Sequence, residues 1–344
     1  MFTTLGLRNV VTSFPRVLAS KRQLDDGQLL CHKSFMRIAV TGAFGYSGRY
    51  ITTHLLDAGH EVITLTNSAG RPNPFGQKVA AYPFHFQAPQ KLRDSLRGVD
   101  LLINTYWVRF NHRLFTQGQA VANTRILFSA AKAAGVQRIV HVSITNPDST
   151  SDLPYFRGKA ELESALKALG ISYCILRPTV LFGKEDVLIN NIAWFLRHLP
   201  VFGIFGSGDY KLQPIYVDDL AKVAAQKAEG GNDEIIEAIG PETFTYRDLV
   251  SKIGAALGVK RPILSVSPAV GFWVSRYVGF LVSDVIITQE EIRGLMENRL
   301  FVNAPPLGTT KLTEWLEQHK HTLGLHYTSE LARRTNRLSE YKSN

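Results

Sequence analysis

The stretch Met36–Asn67, MRIAVTGAFGYSGRYITTHLLDAGHEVITLTN, decides the fold. Ile38 to Val40 is a short apolar run with β-branched residues, the pattern of a strand buried on both faces. Gly42, Gly45 and Gly48 follow as a G-x-x-G-x-x-G turn, with Phe44 and Tyr46 inside it. Ile51, Leu55 and Leu56 then keep helical spacing, Gly59 offers a stop, and Val62 to Leu65 is a second apolar run. Three glycines alone are a weak signal, because glycines also build ordinary turns. Between a strand and a helix they have a specific use. Missing side chains let the backbone approach a pyrophosphate, and the helix N-terminus supplies N–H donors and positive potential. The stretch therefore predicts a dinucleotide site.

The rhythm continues outward. A helix is expected near Lys91–Arg97, a strand at Asp100–Asn104, a long helix over Phe115–Ala134, a strand in RIVHVSI, a helix over Tyr155–Leu169 and a strand at Ile171–Leu176. Strands alternating with helices at this spacing predict an α/β fold, a Rossmann-type doubly wound parallel sheet, with ligands along the strand C-termini. From about Gly183 the pattern loosens into a smaller, mostly helical C-terminal lobe, in which Thr245 is read as the N-cap of a helix carrying Leu249, Ile253 and Leu257. The expected layout is an N-terminal extension over 1–35, the dinucleotide domain over 36–183, a substrate or partner lobe interleaved with the sheet over 184–330, and a basic tail over 331–344.

The net charge of +10 invites a nucleic-acid reading, but its distribution argues against one. Residues 1–35 and 331–344 each carry a net +3, so more than half the excess lies at the two ends. The first 35 residues hold Arg8, Arg16, Lys21 and Arg22 with no acid before Asp25, the composition of a mitochondrial transit peptide. The other reading is an inert extension ahead of Met36. Location is accordingly cytoplasmic, or the mitochondrial matrix if 1–35 act as a presequence. Two cysteines, Cys31 and Cys174, make no disulfide framework, and Cys174 reads as a buried small hydrophobe. No apolar run is long enough to span a bilayer.

After the second strand, where an acid would hold the adenosine ribose and favour NAD, stand Thr66, Asn67 and Ser68, with Arg71 beyond and Arg49 after the glycine turn. No carboxylate repels a 2′-phosphate there and two cations can meet it, which argues for NADP(H) over NAD(H). The plain alternative makes Arg49 and Arg71 solvated surface residues.

Tyr155–Glu163, YFRGKAELE, holds the only Tyr-x-x-x-Lys of the chain. On a helix Tyr155 and Lys159 share a face. A nearby ammonium would lower a phenol pKa from its usual value near 10 towards proton transfer at neutral pH. Ser143 closes the preceding strand and is read as pointing into the cleft.

On TGAFGYSG, Asn123 in VANTRILFSAAKAAGV, RIVHVSI, YFRGK, ILRPTVLFG and YVDDLA, the chain resembles the extended or atypical short-chain dehydrogenase/reductases, NAD(P)-dependent epimerase-like and NmrA-like. Within them it is similar to the branch that includes the dinucleotide-binding accessory subunit of respiratory complex I. The resemblance runs from about Arg37 to Leu257. It implies that Asn123 braces the site, Ser143 polarises a substrate oxygen and Tyr155 is the acid/base. It implies too that Lys159 holds the nicotinamide ribose, Pro178 lies near the nicotinamide and Thr105 lines the cofactor. The chain departs from the pattern twice. Phe86 and Gln87 replace the usual acid after the third strand, and the loop after the fourth carries Tyr106, Trp107, Arg109, Phe110, Asn111 and His112. That loop either lines or plugs the pocket, or packs under the helical lobe. His112 and His141 have no metal-ligand spacing and read as structural; Asp218 and Asp219 read as helix caps.

Ser267–Ile287 is the most apolar part of the lobe. Arg276 and Ser283 argue against a spanning helix, leaving a buried helix or a face for a membrane surface or a protein partner. Two functions follow. One is an NAD(P)(H)-linked oxidoreductase passing hydride to or from a carbonyl or alcohol, hydrophobic or quinone-like, with sugar-nucleotide epimerisation as a variant. The other is a non-catalytic module holding NADP(H) for structure, assembly or redox sensing.

Overall fold

The structure, a computed structural model, describes residues 35–336. The expected presequence and most of the basic tail lie outside these residues.

Seven parallel strands form the central sheet: β1 (Arg37–Thr41), β2 (Glu61–Leu65), β3 (Val79–Tyr82), β4 (Leu101–Asn104), β5 (Arg138–Val142), β6 (Ser172–Pro178) and an edge strand at Glu234–Ala238. In space they run edge strand–β6–β5–β4–β1–β2–β3. The order reverses between β1 and β4, and in a doubly wound sheet that reversal opens the ligand crevice. Ile38, Ala39 and Val40 are fully buried, as a strand covered on both faces requires.

One face is covered by α1 (Tyr46–Asp57) and α6 (Val217–Ala228). Ile51 and Leu55 of α1 share an apolar core with Leu220, Ala221 and Ala224 of α6, whose alanines let the helices approach closely. α6 comes from the C-terminal half of the chain yet packs beneath the dinucleotide half, as the edge strand at Glu234–Ala238 joins its sheet. Asp218 and Asp219 lie in its first turn without capping it: Asp218 meets His54 Nε2 at 2.8 Å, and Asp219 accepts from the Thr309 and Thr310 amides.

The other face carries α2 (Pro89–Ser95), α3 (Gln117–Ala134) and α4 (Pro154–Lys167), with Leu92, Leu127, Phe128, Leu162 and Leu166 buried together. Gly135 ends α3 in the left-handed region, φ 89°, where glycine carries no Cβ penalty. Cys174 is buried in β6, and burial pushes its thiol up to about 12, in keeping with an inert apolar role.

The C-terminal lobe holds α5 (Leu188–His198), α7 (Tyr246–Ala256), α8 (Pro268–Val282), α9 (Gln289–Met296) and α10 (Leu312–His319), with three short strand pairs. Its core gathers Phe182, Ile192, Leu196, Leu249, Ile253 and Trp315. Thr245 caps α7 by accepting from the Asp248 amide at 3.0 Å. The buried-helix reading of Ser267–Ile287 does not hold: only Gly271 and Gly279 of α8 are buried. A last helix, α11 (Glu330–Thr335), falls within the stretch expected to be a tail.

Candidate dinucleotide site

At the crevice, β1 and β4 are locked edge to edge. The Thr41 hydroxyl bonds Asn104 Oδ1 at 3.1 Å and accepts from the Thr105 amide at 2.7 Å, and Thr105 Oγ1 donates to the Thr41 carbonyl. The glycine turn departs from there. Gly42 has φ 69°, and a Cβ on Gly48 would stand 2.2 Å from the Gly42 carbonyl oxygen, so only glycine closes the turn against α1. Gly45 leaves the first turn of α1 without a side-chain cap and without an acid. A missing cap costs about 1 kcal/mol. Burying Ile51 and Leu55 contributes about 1.5–3 kcal/mol each and outweighs it. The helix is stable while its N-terminal amides are not capped by any side chain, which suits an anion.

The cleft over this turn holds about 380 Å³ and is walled by Thr41, Gly42, Phe44, Gly45, Tyr46 and Gly48 together with Thr66, Asn67, Arg71 and Thr105. Asn67 and Phe84 lead into a second hollow beside Phe86, Gln87 and Asn123. There Phe84 and Phe86 stack at 4.7 Å and Tyr106 leans on both rings, an aromatic surface where the family pattern has an acid. The two arginines separate. Arg71 is buried in the cleft wall; Arg49 is not part of that wall and faces Glu185 at 3.7 Å.

Ser143, Tyr155, Lys159 and Pro178 are not part of the cleft wall either. Ser143 is buried and donates to Glu163 Oε1 at 2.6 Å. Arg177 holds both oxygens of the same carboxylate and also reaches Glu237, so the serine belongs to a closed ionic network at the ends of β5, β6 and the edge strand. Lys159 donates to the Val142 carbonyl at 2.8 Å and lies 4.5 Å from the centre of the Trp107 ring. Burial pushes its ammonium down to about 7, with Glu163 opposing that shift. Trp107 meets Tyr155 edge-on at 5.5 Å. The Tyr155 phenol is pushed up, by burial first and by the Glu291 charge next, opposite in direction to the activation expected from Lys159. Asn123 accepts from Gln119 and donates to the Tyr106 hydroxyl, bracing the aromatic loop and not the tyrosine–lysine pair. Pro178 accepts from the Thr145 amide at the end of β6.

The two alternatives for the loop after β4 divide between its residues. Tyr106, Trp107 and Val108 wall the cleft, while Arg109 reaches under the lobe to Glu291 at 2.9 Å and the Val285 carbonyl. Asn111 accepts from the Gln117 amide and His112 packs on Phe115. His141 is buried against Asn104 and Phe128, and burial holds its imidazole well below the usual value. No metal-ligating cluster occurs among the described residues.

Sequence reasoning missed one part of the wall. Glu330, Arg333 and Arg334 of α11 line the cleft. Arg71 donates to the carbonyls of Arg333 and Asn336, both at 3.1 Å, and Arg334 donates to the Trp107 carbonyl. An Arg-Arg pair near a chain end reads as a solvated tail, so no local signal marked it.

Three comparisons bear on this site. The model of the NAD dependent epimerase/dehydratase family matches residues 38–236. The mitochondrial NADH dehydrogenase [ubiquinone] 1 alpha subcomplex subunit 9 of Arabidopsis thaliana is 28% identical over 223 residues, which are 61% of this chain and 55% of that protein, so the chain spans about half the length of this relative. Among solved structures, an NADPH-dependent quinone oxidoreductase from Escherichia coli complexed with NADPH has a TM-score of 0.66 at 25% identity over 82% of this chain and 99% of that one. A triphenylmethane reductase from Citrobacter sp., at 19% identity, covers 83% of this chain and 100% of that one with a TM-score of 0.68 and shows the fold.

Proposed function

The chain belongs to the NAD dependent epimerase/dehydratase family, and from that premise we propose that it holds NADP(H) as a fixed part of a protein assembly and does not turn it over. The observation that carries this reading is Trp107. Its ring lies against both Tyr155 and Lys159 and lines the cleft, whereas neither Tyr155 nor Lys159 does. Gly42, Gly45 and Gly48 would cradle the pyrophosphate, Thr105 and Asn67 would line the nucleotide, and Arg71 would meet a 2′-phosphate. The aromatic face of Phe84, Phe86 and Tyr106 would take the adenine. The assembly reading draws on the relative's name as a subunit of NADH dehydrogenase, and the mitochondrial setting on that relative together with the composition of residues 1–35.

Exchange kinetics test the proposal. The protein is loaded with NADPH, excess NADP is added, and nicotinamide fluorescence is followed. Exchange over hours is expected; exchange within seconds would sink the fixed-nucleotide reading.

A second reading rests on Ser143, Tyr155 and Lys159 together being present, and on the likeness to the NADPH-dependent quinone oxidoreductase. Here the Trp107 ring swings out, Tyr155 exchanges the proton, and hydride passes to a carbonyl or quinone-like acceptor. NADPH oxidation by a quinone that Tyr155→Phe abolishes would establish it in place of the first.

A further inference from the structure

Helix α8 presents Val270, Trp273, Val274, Tyr277, Phe280 and Leu281 to the outside. Trp273 is 66% exposed, Tyr277 67% and Phe280 81%. At 3.6 residues per turn these six positions fall within roughly 120° of the helix circumference, a single continuous stripe. The opposite face is fixed: a Cβ on Gly271 would stand 2.5 Å from the Phe205 ring, and one on Gly279 would stand 2.6 Å from the Asp284 carbonyl oxygen. The stripe cannot turn inward without breaking those contacts.

The segment leading into and through α8 carries charge of one sign, and the first carboxylate after it, Asp284, is taken up by the Tyr327 hydroxyl and the Glu330 and Leu331 amides. From Ser251 to Ser283 the chain carries Lys252, Lys260, Arg261 and Arg276 and no carboxylate. Arg276 lies 5.5 Å from the Trp273 ring, beside the stripe. A protein partner is met as often through mixed charge, whereas a lipid headgroup layer rewards cations flanking an apolar helix with Trp and Tyr at its edge. With 15 residues α8 is shorter than the roughly 20 that cross a bilayer, and no described helix is long and apolar enough to do so. It can only lie in the surface.

Behind α8 is a mostly apolar cavity of about 250 Å³, walled by residues such as Val187, Ile192, Phe195, Val274 and Ile286, with Arg109, Asn191 and Ser275 also in its wall. Val274 and Val201 belong to this wall and are also exposed, so the cavity opens beside the stripe. A space of about 150 Å³ lined by such side chains stays dry and accepts benzene. This one has room for a stretch of hydrocarbon.

We propose that α8 seats the protein on an anionic lipid surface and that the cavity beneath it admits one apolar lipid chain. This stands whether or not the nucleotide is turned over.

The test uses the full chain with vesicles of equal parts phosphatidylcholine and phosphatidylglycerol. Co-sedimentation is expected, weaker on phosphatidylcholine alone. Trp273→Glu with Phe280→Glu should weaken it at least about tenfold, because carboxylates replace the apolar face that enters the lipid. Both sites are exposed, and an unchanged Tm confirms that the fold is intact. No sedimentation, or sedimentation that the double variant does not alter, overturns the proposal. So does a self-associated species in ultracentrifugation that the double variant dissolves without any vesicle binding, since a second copy would then cover the stripe. For the cavity, uptake of cis-parinaric acid is followed by fluorescence. Val201→Trp at the rim, outside the stripe, should abolish uptake while vesicle binding persists, and Val201→Phe does the same if the first disturbs the fold. Uptake unchanged in both places the chain elsewhere and removes the cavity from the proposal.

Discussion

The ammonium of Lys159 lies 4.5 Å from the centre of the Trp107 indole, and the same indole meets Tyr155 edge-on. A lysine and a tyrosine one helical turn apart are thus joined through a third side chain from another loop. Trp107→Ala removes that wedge. We expect nucleotide exchange to accelerate at least about tenfold, with a stability loss of about 2–4 kcal/mol from the vacated volume. Unchanged exchange in a folded variant would show that the indole does not hold the nucleotide side of the cleft.

Lys159 also makes stability depend on pH. Its folded pKa is pushed down to about 7, whereas an unfolded lysine titrates near 10.4. Between those values the unfolded chain binds the extra proton, so stability rises with pH; below about 7 both states are protonated and the burial penalty is present in full. The Tm of the native chain relative to Lys159→Met should climb from pH 7 to pH 9. A flat difference would mean that the buried amine stays charged at pH 9.

Gly48→Ala places a methyl 2.2 Å from the Gly42 carbonyl oxygen. The turn must open, at a cost of about 1–3 kcal/mol. NADPH titration should show at least a tenfold loss of affinity with the fold retained by circular dichroism. Native affinity would mean that the pyrophosphate does not rest on this turn.

Arg71→Ala separates two roles of one guanidinium, which reaches the Arg333 and Asn336 carbonyls from the cleft wall. If Arg71 meets a 2′-phosphate, NADPH should weaken at least about tenfold while NADH changes little. Equal weakening of both would assign Arg71 to holding α11 alone.

Much of the fold could be read from local pattern. The β1–turn–α1 unit, Thr245 as a cap and Cys174 as a core residue follow from short-range rules, and all three are realised. The site was legible only where one segment builds it. Gly42, Gly45 and Gly48 shape the turn through their own backbone, so their spacing was enough to place it. The surroundings of Ser143 and Lys159 depend on Glu163, Arg177 and Trp107, brought in from α4, β6 and the β4 loop. The Arg71 partners stand more than 260 positions away, at 262 and 265. α8 misled for a different reason. Apolar content signals burial against something, and that something need not belong to the same chain.

The separation between Arg71 and α11 has a consequence for synthesis. Ribosomes add about 5–20 residues per second, so roughly 13–50 s pass between the emergence of Arg71 and that of Arg333. Through that interval a nascent chain possesses the glycine turn but lacks the part of the cleft wall that α11 supplies. The cleft wall is completed only when α11 arrives.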